Sequence, residues 1–315
     1  MKVAFILGPE FPTAEWTYGA SRRQGVVVTF DPTSRDLTPP FTPGALRGGS
    51  HVHVWHPRGD WLSFTYDDDL IRDPHQRNIA VAIPKPVTVP DTHPRNHSGD
   101  SFSVLVTRTV ANPRDGSDEI SRACEEAWVG RTRTLAFQGT VTVNGKAVPE
   151  VFVAELPDDL TIPGDGPLEG TATTRPAPPK GVTVRRLTFC GIGGPRHWLR
   201  SSPDGCRIGF LRPDETGVVQ LWTVTPAGES QPVTTGRQSV ESCFTWHPDG
   251  ERVACVIGGC VCVVDATTGA VRPLTEPGEH PPRPEACVFS PDGRRVAFVR
   301  DVRGVNQICV AEVGQ

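Results

Sequence analysis

No stretch of the chain reaches the roughly 18 consecutive apolar residues that a membrane-spanning helix requires. A surplus of basic charge is also missing. The 32 Lys and Arg residues stand against 36 Asp and Glu, for a formal net charge of -4 and a pI near 6.1, and the arginines are scattered. This balance excludes the electrostatic footprint of a nucleic-acid-binding protein. The opening MKVAFILGPEF has one lysine, a short apolar run and no small-residue cleavage site, so it reads as a strand and not as a secretory signal. The expectation is a cytoplasmic protein with no membrane segment. Nucleophile elbows, phosphate loops and dinucleotide fingerprints are absent, and GxGG in CGIGGPRHW lacks the lysine and helix a phosphate site needs.

Long helical periodicities are missing too, while 32 Gly and 32 Pro are spread over 315 residues, a length that buries a large core. This combination points to an all-β fold. Nine cysteines form an odd set, eight of them in the second half, and many fall in apolar runs as buried thiols do. Cys255, Cys260 and Cys262 are the one cluster, and C-x4-C-x-C matches no common zinc pattern.

What is present is a repeat. SSPDGCRIGFL (201–211), HPDGERVACVI (247–257) and SPDGRRVAFVR (290–300) place a Pro-Asp-Gly turn before an apolar run, and HPRGDWLSFTY (56–66) is a fourth copy with one change. Proline fixes φ, aspartate bonds to nearby backbone and glycine accepts φ above zero, so each copy reads as a hairpin turn. A later strand recurs as NIAVA, QLWTV, VCVVD and QICVA, and the turn-to-turn spacing is 45 and then 43 residues. Short strands repeating at this interval predict a β-propeller.

The markers divide the chain into about six blades: 1 to about 46, 51–90, a long unit at 91–190, and units starting near 197, 242 and 285. The N-terminal blade is incomplete, since MKVAFIL aligns with the second strand of a unit. In the long unit, Ser117 could cap a short helix with Ile120, Cys124 and Ala127 along one stripe. The whole of 1–315 is expected to form a single propeller domain, with a long insertion in the blade spanning 91–190.

Counting back eight residues from Gly59, Gly205, Gly250 and Gly293 lands on His51, His197, Ser242 and Glu285, and from Gly99 on Asp91. These positions start the innermost strands, where side chains approach a central channel. His53 and His93 follow two positions later, on the same face by period-two alternation. Imidazoles with a carboxylate could hold Mn, Fe or Zn, or simply line a wet channel. Arg196, Arg200 and Arg95 could clamp a carboxylate, or form ordinary salt bridges. His56 and His247 replace the turn serine and read as caps; His97 lies in a turn, and His75 and His280 in loops.

TPGALRGGSHVHVWHPRGDWLSFTYDD, THPRNHSGDSFSVLVTRT, GSDEISRACEEAWVG, GPRHWLRSSPDG and GVNQICVAEV resemble an uncharacterised bacterial family of TolB-like propeller proteins of the DUF3748 type, over nearly the whole chain. The resemblance implies a ring of seven or eight blades and further residues, including a strand unit, before Met1. A more distant likeness is to oligogalacturonate lyases, which bind manganese through channel histidines and a glutamine and split uronate chains by β-elimination. Their Q-x-x-H-x-H pattern maps onto Gly48, His51 and His53, without the glutamine. The likeness implies a metal held by His51, His53, His197 and Glu285, with Arg196 and His93 as catalytic candidates and a small carbohydrate as substrate. The alternative is a non-catalytic propeller that binds a protein or peptide on one face through the loops of the long unit.

Overall fold

The computed structural model describes residues 3–8, 12–28, 33–193, 198–285 and 287–314. All of its sheets are antiparallel, and each blade follows chain order from inner to outer strand. Strands β1 (Val3–Leu7) and β2 (Gln24–Val28) form a two-stranded sheet. The first blade contains β3 (Gly48–Trp55), β4 (Leu62–Asp68), β5 (Arg77–Val87) and β6 (Gly99–Leu105). The second contains β7 (Arg122–Trp128), β8 (Thr134–Val143), β9 (Lys146–Glu155) and β10 (Thr183–Arg186). The third runs through β11 (Arg200–Ser201), β12 (Ile208–Pro213), β13 (Val219–Val224) and β14 (Ser230–Pro232), and the fourth through β15 (Thr245–Trp246), β16 (Arg252–Ile257), β17 (Cys260–Asp265) and β18 (Val271–Pro273). The fifth has β19 (Val288–Phe289), β20 (Arg295–Val302) and β21 (Val305–Glu312).

The described residues therefore form five blades, not six, because the unit drawn from 1 to about 46 contributes a two-stranded sheet and not a blade. Gly99 does not open a blade: it pairs with Val87 in the outer strand of the first sheet. The unit drawn at 91–190 is one ordinary outer strand followed by a separate blade. The expected helix at Ser117–Ala127 is also replaced by a strand, β7. Its helix-like stripe arises from a bulge between Cys124 and Ala127, which adds a residue and brings both side chains inward at a spacing of three.

The chain packs as two units. One comprises 1–128, 133–148 and 152–186; the other comprises 129–132, 149–151 and 187–315. The core of the first is built on Ile79, Val81, Val104, Leu135, Phe137 and Phe152, and that of the second on Leu211, Leu221, Val253, Val264, Val296 and Phe298. Each Pro-Asp-Gly turn connects a first to a second strand. Gly205, Gly250 and Gly293 take φ of 77°, 76° and 72°, and their N–H groups donate to the carbonyls of Ser202, His247 and Ser290. His56 and His247 do act as caps: the Nδ1 atoms accept the N–H of Arg58 and Asp249 at 3.2 and 3.1 Å.

The glycines at the start of β3 permit close backbone approach. A Cβ on Gly48 would lie 2.0 Å from the Asp67 carbonyl oxygen, and one on Gly49 would lie 2.2 Å from that of Ala20. Gly48→Ala is expected to destabilise the fold by roughly 1–3 kcal/mol through this overlap. At Gly19, where a Cβ meets nothing within 4 Å, the same change is expected to be nearly neutral. Urea midpoints of the two variants check the contrast, and equal midpoints would contradict it.

Candidate functional site

Strand β4 is buried along its whole length, yet only one of its faces is mainly apolar. Leu62, Phe64 and Tyr66 pack with Leu46, Ala80 and Leu105. The opposite face carries Ser63, Thr65 and Asp67, each 0% exposed. Burying a polar row is unfavourable unless partners satisfy it, so this face is where the sequence departs from simple core building.

The partners come from β3 and β7, each distorted by the same device. In β3 the register shifts between His51 and Val54, with Val52 at φ 56°; in β7 it shifts between Cys124 and Ala127, with Glu125 at φ 59°. Positive φ is an outlier for a β-branched residue such as valine, and such strain persists only where the surroundings impose it. Each bulge reverses which face the following residues address.

This corrects the expectation that His51 and His53 share a face. His51 pairs with Thr65 in the ladder, and its Nδ1 lies 3.8 Å from Asp67 Oδ2. His53 turns the other way, with Nε2 3.1 Å from Ser50 Oγ and its ring 5.6 Å from that of Phe64. Burial lowers the pKa of both imidazoles to about 4, with the Arg77 charge adding to the effect on His51 and Asp67 opposing it. Both rings are neutral at physiological pH.

Around Asp67 a polar cluster closes. His75 Nε2 approaches Asp67 Oδ1 at 2.6 Å, and Arg77 Nε lies 3.3 Å from Oδ2 without the alignment of a hydrogen bond. Thr65 Oγ1 donates to Glu126 Oε2 at 3.0 Å, while Glu126 Oε1 has no hydrogen-bond partner. Burial pushes the Glu126 carboxyl up to about 8, against hydrogen bonds from its backbone, Thr65 and Ser63. It is therefore mostly protonated at neutral pH. Burial raises the Cys124 thiol to about 11, against the charges of Arg122 and Arg77.

These groups set a pH profile of stability. Between about pH 4.5 and 8 the folded chain keeps a proton on Glu126 that the unfolded chain has released, so stability falls as pH rises through that window. His51 and His53 give the opposite slope. Between about pH 4 and 6.5 the unfolded imidazoles take protons that the folded ones refuse, so stability falls as pH drops. Glu126→Gln is expected to flatten the alkaline arm, which otherwise loses on the order of 1 kcal/mol per pH unit. Urea unfolding at pH 6.5 and 8 measures this; equal losses in wild type and variant would mean that Glu126 is not protonated.

The other sequence candidates lie elsewhere. His197 and Arg196 fall outside the described residues. Glu285, in the second unit, is 3.2 Å from Arg283 Nε. Ser242 is used within its blade, donating to the Cys243 carbonyl and accepting from Val256 N–H. Asp91 and His93 do not start an inner strand: they lie in the connection between β5 and β6, where His93 Nδ1 accepts the N–H of Arg95 at 3.0 Å. That loop borders a cleft of about 400 Å³ with Trp16, Asp69 and Arg72. A resident metal would need several ligands to converge. His51 and His53 diverge across the sheet, and among the described residues no group of three His, Cys, Asp or Glu forms a ligand set. Of the expected ligands, His51 and His53 do not turn toward one ion.

Sequence reading missed Asp67, Arg77, Arg122 and Glu126. One signal was available: HVHVW and CEEAW both end a first strand on tryptophan, which aligns His53 with Glu126 and marks β7 as an inner strand. No helix among the described residues is long and apolar enough to cross a membrane.

Comparison with known proteins agrees with the fold. Residues 1–97 match the family described as protein of unknown function DUF3748. TolB from Acinetobacter baumannii superposes with a TM-score of 0.49 at 17% identity, covering 98% of this chain and 60% of that one. An oligogalacturonate lyase in complex with manganese gives 0.52 at 12% identity, over 93% of this chain and 74% of that one. A puromycin hydrolase S511A mutant complexed with PGG gives 0.57 at 16% identity, over 99% of this chain and 45% of that one. The oligogalacturonate lyase and puromycin hydrolase likenesses, at 12% and 16% identity, show the propeller fold and nothing finer. The uncharacterized protein YidR of Escherichia coli K12 is 45% identical over 319 residues, which cover 95% of this chain and 77% of that protein. At that identity and coverage, this chain belongs to the YidR family.

Proposed function

We propose that the protein is a lyase-like, carbohydrate-active enzyme that cleaves a uronate-containing sugar by β-elimination, with His51 as the base. The observation that carries this reading is a neutral, buried imidazole beside a carboxylate that a guanidinium also approaches, on a strand with strained backbone next to it. Asp67 beside Nδ1 favours the tautomer with its proton on that nitrogen, leaving the Nε2 lone pair available. In the reaction His51 removes the proton α to the sugar carboxylate. The C–H electrons form the new C=C bond, the bond to the glycosidic oxygen breaks, and that oxygen leaves with its electron pair and is protonated from solvent. The propeller fold shared with an oligogalacturonate lyase supports the substrate class.

The test is incubation with oligogalacturonates and other uronate oligosaccharides while the ultraviolet absorbance of an unsaturated uronate is followed. A time-dependent rise that scales with enzyme supports elimination. Its absence across the panel would reject it.

A second reading, binding of a peptide partner, is favoured by one observation. The first unit carries a cleft of about 930 Å³ with Val110, Ile120, Phe152 and Val182 in its lining and Arg108, Asp165 and Lys180 among its charged residues. An apolar lining with a few polar groups is what such sites present. Selection of a common sequence from a random peptide library, lost on Ile120→Arg, would support it.

A further inference from the structure

We infer that the His51 face of the first unit contains a carboxylate-binding site formed by the guanidiniums of Arg77 and Arg122, with Arg23 as a third positive group, that takes a sugar acid without a bridging divalent ion. This deepens the lyase reading and rests on it for the class of molecule that bears the carboxylate. The argument begins with unmet hydrogen bonds. The Nε atoms of Arg23, Arg77 and Arg122 are all withdrawn from solvent with no hydrogen-bond acceptor. Buried donors without partners are uncommon and ask for an explanation. Arginine Nε–H and Nη–H together form a fork that matches the two oxygens of a carboxylate.

The surroundings point to the same ligand. Asp67, with a side chain only 1% exposed, leaves Oδ2 without a hydrogen bond, and His51, 9% exposed, leaves Nδ1 in the same state. The site therefore holds buried donors and acceptors together, as expected where a hydroxylated acid displaces water. Arg77 is opposite Asp67 in the ladder, and its charge is felt at both His51 and Cys124, where the Arg122 charge acts as well. Arg23 also acts on His51, and its guanidinium lies 5.2 Å from the Tyr18 ring. The charges of Arg23 and Arg77 act on His51 and those of Arg77 and Arg122 on Cys124, against the carboxylates of Asp67 and Glu125, and with Glu126 protonated the balance is positive and suits a monoanion. This balance would repel a divalent cation.

Calorimetric titration of the full chain with galacturonate, its methyl ester and galactose tests the site, each with and without EDTA. The acid is expected to bind, the ester and the neutral sugar to bind at least tenfold more weakly, and EDTA to change nothing. Arg122→Met, with its fold checked by circular dichroism, should weaken acid binding at least tenfold, and Arg122→Lys should recover part of the loss. Equal binding of acid and ester, abolition by EDTA, or full affinity in Arg122→Met would each overturn the proposal. Acid binding without turnover would reject elimination while upholding the site. Turnover with intact affinity in Arg122→Met would uphold elimination and reject the clamp.

Discussion

Arg47→Met is expected to destabilise the first unit by about 3–5 kcal/mol, the range for removing one member of a buried ion pair. Arg47 and Asp68 side chains are each 1% exposed, with Nε 3.0 Å from Oδ2. Removing the cation strands a carboxylate that also accepts the N–H groups of Leu70 and Ile71 at 2.9 Å. The loss reaches further. Arg47 also donates to the carbonyls of Thr171 and Thr174, so one side chain ties the long β9–β10 connection to the first blade. Arg47→Lys keeps the charge without the fork and should fall between wild type and methionine. Denaturant unfolding gives the magnitude, and limited proteolysis should show new cleavage near 171–174. A change below about 1 kcal/mol would mean that the pair is worth no more than an exposed one.

His51→Asn is expected to lower kcat/KM for uronate elimination by about 10²–10⁴, the usual contribution of a positioned base. Asparagine preserves approximate size and polarity but cannot take the proton. In the wild type the acid limb of kcat/KM should lie near pH 4 and activity should be level through neutrality, because burial and Arg77 hold the imidazole neutral. Asp67 opposes that shift, so Asp67→Asn should move the limb to still lower pH, a displacement that a purely structural defect would not produce. An acid limb near 6.5, or unchanged activity in His51→Asn, would assign the base elsewhere.

The turn chemistry was readable because it is local: Pro-Asp-Gly specifies its conformation within a few residues, and the two histidine caps followed from standing where serine stands in sister turns. His51 was reachable by counting back from the turn glycine. Its partner was hidden in Asp67-Asp68-Asp69, three identical letters with separate destinations. Asp67 meets His51, His75 and Arg77, Asp68 meets Arg47, and Asp69 meets Ser21 and Arg72. Alternation separates the first two only after the strand is placed. Glu126 was less visible still, because its protonation depends on β4 and β7 coming together, and residue spacing carries no record of that. The six-blade count failed at 1–46, whose described residues form a two-stranded sheet, and the boundary near 91 failed because a glycine after a polar segment marks a turn or the start of an outer strand equally well.

The bulges at Val52 and Glu125 behave like a frameshift in a strand's facing. Everything before each one keeps its phase, and everything after it is read with the opposite parity. A His-x-His spacing can thus deliver two imidazoles to one ion in an unbulged propeller and one to each side of the sheet in this one. Ligand sets cannot be transferred between propellers by spacing alone. The parity of each inner strand has to be established first.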